Sequence, residues 1–141
     1  MNSKYEINTK ENREFLKASC EELLNFGHRF PSPNGGSYYL GDDGTPWKDR
    51  NRETWITCRM AHVYSLGLML GHEGSGELAD AALKGLKGEL HDEKNGGWYA
   101  GVTPEGGIVP NKQCYAHAFV ILAASSALTA GRPGAKELLE E

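Results

Sequence analysis

The feature that most restricts the fold of this chain is an internal repeat. Its period equals the distance along the sequence from Gly71 to Gly131. Shifting the sequence by that offset aligns two units without a gap and matches aromatic residues to aromatic residues three times. The aromatic pairs are Tyr38 and Trp98, Tyr39 and Tyr99, and Trp55 and Tyr115. The other glycine pairs include Gly36 and Gly96, Gly41 and Gly101, and Gly74 and Gly134. Such a period indicates an array of units that bury their apolar faces by stacking.

Each unit combines an inner helix and an outer helix with different apolar patterns. The segment from 52 to 70 is apolar on nearly every side, which is typical of a buried helix. The segment from 75 to 91 is amphipathic, because its apolar residues recur every four positions, and it predicts an outer helix with one side in solvent. The segment from 112 to 130 is again apolar or small all round, and a Gly-Arg-Pro-Gly break follows it. The order inner, outer, inner predicts an all-α fold of helical hairpins.

A further helix precedes the first full unit. Asn8 with Glu11 three residues later has the pattern of a capping box, and the helix should end near Phe26 and Gly27. Its apolar stripe consists of Phe15, Leu16, Cys20, Leu23 and Leu24. The connection from 31 to 36 is rich in turn residues, and the segment from 38 to 40 predicts a short strand or extended arm that enters a turn.

Charge and composition exclude several classes of function. The net charge is -4 and the 15 Lys and Arg residues are dispersed, so no basic stripe indicates a nucleic-acid partner. The first ten residues lack the apolar core of a signal peptide, and Arg59, His62 and Lys112 interrupt the two apolar helices, which argues against a membrane span. We therefore expect a cytosolic protein. The mixed-sign run from 48 to 53 predicts a solvated loop and the first turn of the inner helix.

The three cysteines do not form a recognisable framework. Cys20, Cys58 and Cys114 are odd in number and widely spaced, and none belongs to a CxxC motif. Reduced thiols in the core are the expected state, because free cysteine is among the most buried residue types.

Two units and a fraction cannot close an array by themselves. A ring of helical hairpins needs about six such units, by the logic of stacked repeats with shielded ends. Either the chain is part of a longer protein or it assembles with copies of itself as a homo-oligomer, and we favour the first.

Three sequence strings resemble the N-terminal part of the N-acylglucosamine 2-epimerase family, and the likeness runs through nearly the whole chain. They are WITCRMAHVYS at 55–65, GGWYA at 96–100 and KQCYAH at 112–117. Within the family, the first and last strings are more similar to the aldose-ketose isomerase branch, which includes mannose isomerases and the bacterial sulfoquinovose isomerase, than to the epimerases of N-acylated sugars.

The resemblance implies a fold and a chemistry. The fold would be an (α/α)6 barrel of two concentric helix rings, of which residues 1–141 would be the N-terminal part of a single domain with only the first two-plus hairpins. A monosaccharide would bind in the central cavity, and a proton would move between C1 and C2 of the open-chain sugar through an enediol. Histidines from later repeats would carry that proton, without a metal or other cofactor, so this segment alone would be incomplete for catalysis.

Four residues are candidates for the sugar site. Arg59 is predicted to be catalytic, since a guanidinium in an apolar helix is costly to bury and an enediolate oxygen is a suitable partner; a structural salt bridge is the alternative. Trp55, one turn earlier, could stack on a sugar ring or pack in the core. Tyr115 occupies the position of Trp55 one repeat later and could bond a sugar hydroxyl. His117 is a further substrate-binding candidate, although a hydrogen-bonded core histidine is the simpler interpretation, and the same holds for His62.

No pair of histidines has HxH or HExxH spacing, so no metal site is expected. Two alternatives to the isomerase remain open at this point. A 2-epimerase of amino sugars would share the proton transfer and differ only in the return step, and a non-catalytic binding protein would use the same helical scaffold.

Overall fold

The computed structural model of the protein describes residues 3–141, so that Met1 and Asn2, at the start of the polar N-terminal segment, lie outside the described residues. The helices are α1 (Lys10–Gly27), α2 (Thr54–Met69), α3 (Ser75–Leu86), α4 (Cys114–Thr129) and α5 (Ala135–Glu140), and a 3-10 turn (Ser3–Tyr5) precedes them. The strands are β1 (Tyr39–Leu40), β2 (Pro46–Trp47), β3 (Arg52–Glu53), β4 (Gly101–Val102) and β5 (Ile108–Val109).

The helices confirm the period of the repeat. Helix α4 begins and ends one period after α2, and α5 begins one period after α3. The turn between inner and outer helix also repeats, because Gly71 and Gly74 have φ angles of 82° and 77°, and Gly131 and Gly134 have φ angles of 69° and 73°. Glycine adopts this left-handed backbone without the steric cost that a Cβ atom would add.

The arms that precede the inner helices depart from the ungapped register. The amide of Tyr38 donates to the carbonyl of Phe30, and the amide of Tyr99 donates to that of Leu90, so the equivalent tyrosines are separated by one residue more than the helical period. At the hairpin tips, between Gly44 and Gly106, the separation exceeds the period by two residues. The predicted pairings within the arms are therefore wrong, although the predicted arm at β1 is confirmed. The pairs concerned are Gly36 and Gly96, Tyr38 and Trp98, Tyr39 and Tyr99, and Gly41 and Gly101. Strand β1 pairs with β2, whereas β4 pairs with both β3 and β5.

The core lies between α2, α3 and α4. Helix α2 packs on both of the other helices, with Cys58, Ala61 and Ser65 fully buried. The amphipathic pattern of α3 is confirmed, since Ala82 and Leu86 are buried. The remaining large or medium apolar side chains of the core are Leu24, Phe30, Tyr64, Leu83, Leu90, Trp98, Val102, Val120 and Leu138.

The inner helices are buried on one side only, which corrects the expectation of complete burial. In α4 Ala116, Ala123, Ala124 and Ala127 are buried, while Ile121 is 61% exposed, and in α2 Met69 is 46% exposed. A groove of about 300 Å³ separates α2 from α1 and the β1 arm, and Ile56, Met60 and Val63 line it from α2. The reason is that each inner helix has one inner neighbour within residues 3–141. None of the helices in this range has the length and apolar content that crossing a bilayer requires.

Two helix ends differ from the sequence prediction. The N-cap of α1 is Thr9, whose side chain accepts the amide of Asn12, whereas Asn8 has a φ of 69° and does not cap. Helix α3 ends at Leu86, five residues before the predicted end, because the amide of Leu90 bonds back to the carbonyl of Gly85 in a turn. This turn brings Leu90 into the core without helical backbone. The spacing of apolar residues therefore continues past the last residue of the helix. The apolar stripe of α1 is mostly exposed, and only Leu24 in it is buried.

The charged run from 48 to 53 is only partly solvated. Arg52 is 7% exposed; its guanidinium donates to the carbonyl of Gly35 at 2.9 Å and forms an ion pair with Glu89. Lys112, at the equivalent position of the second repeat, has the same arrangement with the carbonyl of Gly96 and with Asp92. The predicted solvated loop is therefore confirmed for residues 48–51 and wrong for Arg52, because its charge is paired inside the repeat.

The cysteines are free thiols, and only one of them is a core residue. Cys58 is buried, Cys20 is half-buried and Cys114 is exposed at the start of α4. Burial raises the pKa of the Cys58 thiol well above its usual range, so that side chain stays protonated. The expectation of three core thiols is wrong for Cys114, because its position faces the uncovered side of α4.

Candidate active site

Arg59, Trp55 and Tyr115 form one cluster on the neighbouring helices α2 and α4. The Arg59 guanidinium lies 3.5 Å from the Tyr115 hydroxyl oxygen, 4.9 Å above the Trp55 ring and 5.0 Å from the Phe119 ring. The rings of Trp55 and Tyr115 are 6.0 Å apart with an angle of 59° between their planes. These side chains meet because both aromatic residues stand one position after the helix start, and because Arg59 lies one turn beyond Trp55.

The cluster is open to solvent on one side. Arg59 is exposed and Tyr115 is 53% exposed, while Trp55 is half-buried. The expectation that Arg59 is buried is therefore wrong in this chain, because two inner helices form a wall and not an enclosed cavity. Its guanidinium contacts π faces and a hydroxyl, and no ion pair with an acidic side chain forms within residues 3–141. The predicted structural salt bridge is absent, and a fixed cation remains available at the surface of the wall.

A carboxylate that the sequence did not single out holds Trp55 in place. Glu53 Oε2 accepts the indole Nε1–H of Trp55 at 2.8 Å and also accepts the hydroxyl of Tyr39 on strand β1. Burial, and then the bond to Glu53, raise the pKa of Tyr39 well above its usual range, so the phenol remains a donor. Glu53 was missed because it belongs to the charged run from 48 to 53. Its position two residues before Trp55 was the signal that could have identified it.

His117 is used by the backbone on both of its ring nitrogens. Its Nδ1 donates to the carbonyl of Gln113 at 2.8 Å, and its Nε2 accepts the amide of Trp98 at 3.1 Å. This bonding assigns a neutral ring, with the proton on Nδ1. Thr57 occupies the same place in the first repeat, where its hydroxyl accepts the amide of Ser37 at 3.0 Å. The contacts of His117 are thus those of an internal brace, and its role in substrate binding stays a prediction.

His62 lies on the side of α2 that faces α4. Its Nδ1 is 2.6 Å from the Ser126 hydroxyl, which itself donates to the carbonyl of Leu122 at 2.9 Å. The ring therefore donates through Nδ1 and links the two inner helices. Within residues 3–141, no group of three His, Cys, Asp or Glu side chains is arranged to hold a metal ion.

Comparison with known proteins identifies the family. The sequence model described as N-acylglucosamine 2-epimerase (GlcNAc 2-epimerase) matches residues 35–141. The chain belongs to the N-acylglucosamine 2-epimerase family. It is 40% identical over 129 residues to a D-mannose isomerase of Thermobifida fusca, which covers 91% of this chain and 32% of that protein. A D-mannose isomerase of Pseudomonas cannabina pv. alisalensis is 35% identical over 135 residues, which cover 96% of this chain and 32% of the relative.

Solved structures of this family share the fold. A crystal structure of D-mannose isomerase superposes with a TM-score of 0.79 at 24% identity, over 95% of this chain and 34% of that one. Cellobiose 2-epimerase from Bacillus thermoamylovorans gives a TM-score of 0.74 at 25% identity, over 92% of this chain and 35% of that one. The chain thus spans about a third of the length of these isomerase and epimerase relatives. It has the fold of part of an (α/α)6 barrel.

Proposed function

We propose that this chain supplies the N-terminal part of a sugar isomerase that interconverts an aldose and its ketose, such as mannose and fructose. The observation that carries the proposal is the cluster of Arg59, Tyr115 and Trp55, in a chain that is 40% identical to a D-mannose isomerase over 129 residues. The cluster combines a fixed cation, a hydroxyl and an aromatic face, which are the groups that a sugar ring and its polar edge require.

The proposed chemistry is proton transfer between C1 and C2 of the open-chain sugar through an enediol. As a base removes the proton from C2 of the aldose, negative charge develops on the oxygen at C1, and a guanidinium beside that oxygen stabilises the enediolate. Arg59 has this role in the proposal, and Tyr115 bonds a neighbouring hydroxyl. The group that moves the proton is not assigned to any residue of this chain, so we expect residues 1–141 by themselves to be inactive.

The test uses the protein produced with whatever coding sequence follows residue 141, assayed with D-mannose, D-fructose and N-acetyl-D-mannosamine. We expect turnover between the first two sugars. Because removing one donor to a developing oxyanion costs about 100-fold or more in kcat, Arg59→Ala should lose about that factor, with folding checked by its thermal melt. The matched control is Arg13→Ala, the same substitution at an exposed arginine on α1. Full turnover in Arg59→Ala would remove Arg59 from the mechanism.

A 2-epimerase is the second candidate, and the likeness to cellobiose 2-epimerase favours it. An epimerase returns the proton to C2 from the opposite face and accumulates no ketose. Turnover of N-acetyl-D-mannosamine or cellobiose without a ketose product would therefore replace the isomerase by the epimerase. Binding of these sugars without turnover by the complete protein would leave only the binding function. The cytosolic location predicted from the sequence stays a prediction, and self-association as a homo-oligomer stays the alternative to a longer protein.

A further inference from the structure

Glu53 is an acidic residue at a helix N-cap that does not cap. It has φ and ψ angles of -95° and 144°, the usual N-cap conformation, yet its side chain makes no capping hydrogen bond to α2. The short side chains of Asp, Asn, Ser and Thr ordinarily accept an amide of the first helical turn from this position, a contact worth about 1 kcal/mol, and glutamate is not one of these capping residues. In α1 that role is taken by Thr9, whereas the N-caps of α3 and α5 are glycines and that of α4 is Gln113, which makes no capping hydrogen bond either. The carboxylate is directed to two other donors.

The backbone of Glu53 is fixed from outside the helix. It pairs with Gly101 across the strands β3 and β4, and the amide of Thr54 donates to the carbonyl of Ala100 at 3.0 Å. A Cβ atom on Gly101 would lie 2.8 Å from the carbonyl oxygen of Arg52, so glycine permits this close approach of the two strands. The carboxylate therefore extends from an anchored point and has a short, defined reach.

Both donors to Glu53 belong to the wall of the site. The indole of Trp55 donates to Glu53 from one side, and the hydroxyl of Tyr39 donates from the arm. The rings of Tyr39 and Trp55 are 6.4 Å apart in an edge-to-face arrangement, and the Arg59 guanidinium lies over the indole, 4.9 Å from its ring centroid. A rotation of the indole about its side-chain bond would move its face away from Arg59. The hydrogen bond from Nε1–H selects one of these orientations.

We propose that Glu53 is a positioning residue of the sugar site, whose carboxylate holds the Trp55 indole in the orientation that directs the Arg59 guanidinium, and ties the β1 arm to α2. The inference rests on the proposed function, since it assigns Arg59 to the sugar. Glu53 acts through Trp55 and does not itself contact the reacting atoms. The second repeat has Gln113 at this position and Tyr115 in place of the indole, so the device is confined to the first repeat.

The experiment compares Glu53→Gln with Asp49→Asn in the complete protein, with D-mannose and D-fructose as probes. Glutamine has nearly the same volume but no charge. Both hydrogen bonds end on Oε2, so the amide oxygen of glutamine can accept them only as weaker, neutral hydrogen bonds. Misplacement of a group that positions the reaction costs up to about 100-fold, and we expect Glu53→Gln to lower kcat about tenfold with KM changed less than about threefold. Asp49→Asn, at an exposed loop residue, should leave both unchanged.

A double-mutant cycle distinguishes positioning from general damage. Trp55→Phe keeps an aromatic ring but lacks the Nε1–H donor, so adding Glu53→Gln to it should produce little further loss. Equal losses from Glu53→Gln in both backgrounds would contradict the proposal. If Glu53→Gln does not fold, Trp55→Phe alone tests the other end of the same hydrogen bond: it should also lose kcat, and full kcat in that variant would overturn the proposal.

A second readout does not depend on activity. The indole N–H resonance of Trp55, assigned by its loss in Trp55→Phe, should move upfield in Glu53→Gln, because the hydrogen bond to a charged acceptor is weakened. An unchanged resonance would show that Glu53 does not hold the indole. A wild-type protein without turnover of either sugar would contradict the proposed function instead, so the two ideas fail by different observations.

Discussion

The two inner helices, α2 and α4, occupy equivalent positions in the two repeats but carry different side chains at matching places. One period along the sequence, Arg52 is replaced by Lys112, Thr57 by His117 and Arg59 by Phe119. At the first two pairs the contacts are kept although the residue type changes. At the third pair, on the wall of the candidate site, the guanidinium has no equivalent.

This difference separates the scaffold from the site. Arg52 and Lys112 each donate to the carbonyl of the first glycine in the turn of their own repeat, Gly35 and Gly96. The scaffold therefore needs a cation at this position and accepts either type. On the wall of the candidate site the cation occurs in the first repeat only, because Phe119 stands where Arg59 would recur. Repeated contacts identify structural residues, and contacts that occur in one repeat identify candidates for function.

The largest expected effect is the difference in unfolding free energy between a variant without Arg52 and a variant without Lys112. Arg52 has a side chain that is 9% exposed, and its removal leaves Glu89, which is 35% exposed, without its ion pair and with the hydrogen bond from Asn34. Breaking a buried pair costs about 3–5 kcal/mol, and the partial exposure of Glu89 reduces our expectation for Arg52→Ala to about 2–3 kcal/mol of unfolding free energy. Lys112→Ala should cost about 1 kcal/mol, because the lysine is 32% exposed and Asp92 keeps other donors. Urea denaturation of the two variants measures the difference.

Conservative exchange sharpens this prediction. Arg52→Lys should recover part of the stability lost in Arg52→Ala, because one ammonium makes the equivalent two contacts at Lys112, and Lys112→Arg should be tolerated. Equal losses in Arg52→Ala and Lys112→Ala would break the comparison, because they would mean that burial does not decide the cost of this contact.

The sequence predicted the helices of the repeat better than its arms. Inner helices are marked by unbroken apolar composition, and their start and end positions recur with the expected period. The arms contain doublets, Gly35–Gly36 and Tyr38–Tyr39, which match their counterparts in two registers one residue apart. A one-residue insertion in the second turn was therefore invisible until the hydrogen bonds of Tyr38 and Tyr99 fixed the pairing.

The sequence predicted which residues form the candidate site, but not how exposed these residues are. Arg59, Trp55 and Tyr115 were expected on one wall and do lie together. Their exposure was not predicted, because burial depends on which elements cover a helix and not on its own composition. Glu53 was missed for a related reason, since a charged run looks the same whether its side chains reach solvent or turn inward. The match of Arg52 to Lys112 in the repeat was the signal that part of the run is structural.

The second prediction concerns the pair Thr57 and His117. Each side chain accepts a backbone amide of its own arm, from Ser37 and Trp98 respectively. Losing one such bond costs about 1–2 kcal/mol, so Thr57→Ala and His117→Ala should each lower the unfolding free energy by about that amount in thermal or urea melts. Because both nitrogens of His117 already have backbone partners, KM for mannose should not change.

The same variant decides between the two interpretations of His117. If His117 only holds the backbone in place, His117→Ala should lose stability with an unchanged KM. A substrate ligand, as the sequence suggested, predicts a raised KM with stability nearly intact, and that result would break the structural equivalence of Thr57 and His117.

The smallest expected effect is a difference in acid sensitivity between the two turns. The first turn begins at Ser32 and the second at Asp92, and in both the backbone amide and carbonyl of this residue close the turn. Lys112, and then Asn95, hold the pKa of the Asp92 carboxyl well below its usual range. A carboxyl whose pKa is lower in the folded protein contributes stability above its unfolded pKa of about 3.9, and this contribution is lost as the pH falls further.

Asp92→Asn should therefore flatten the decline of unfolding free energy below about pH 4, relative to wild type and to the surface control Asp42→Asn. Urea denaturation at a series of acidic pH values measures this decline. Since Ser32 carries no charge, substitution in the first turn should leave the acid limb unchanged. An acid limb that is equally steep in Asp92→Asn would place the acid sensitivity elsewhere and would remove this difference between the two turns.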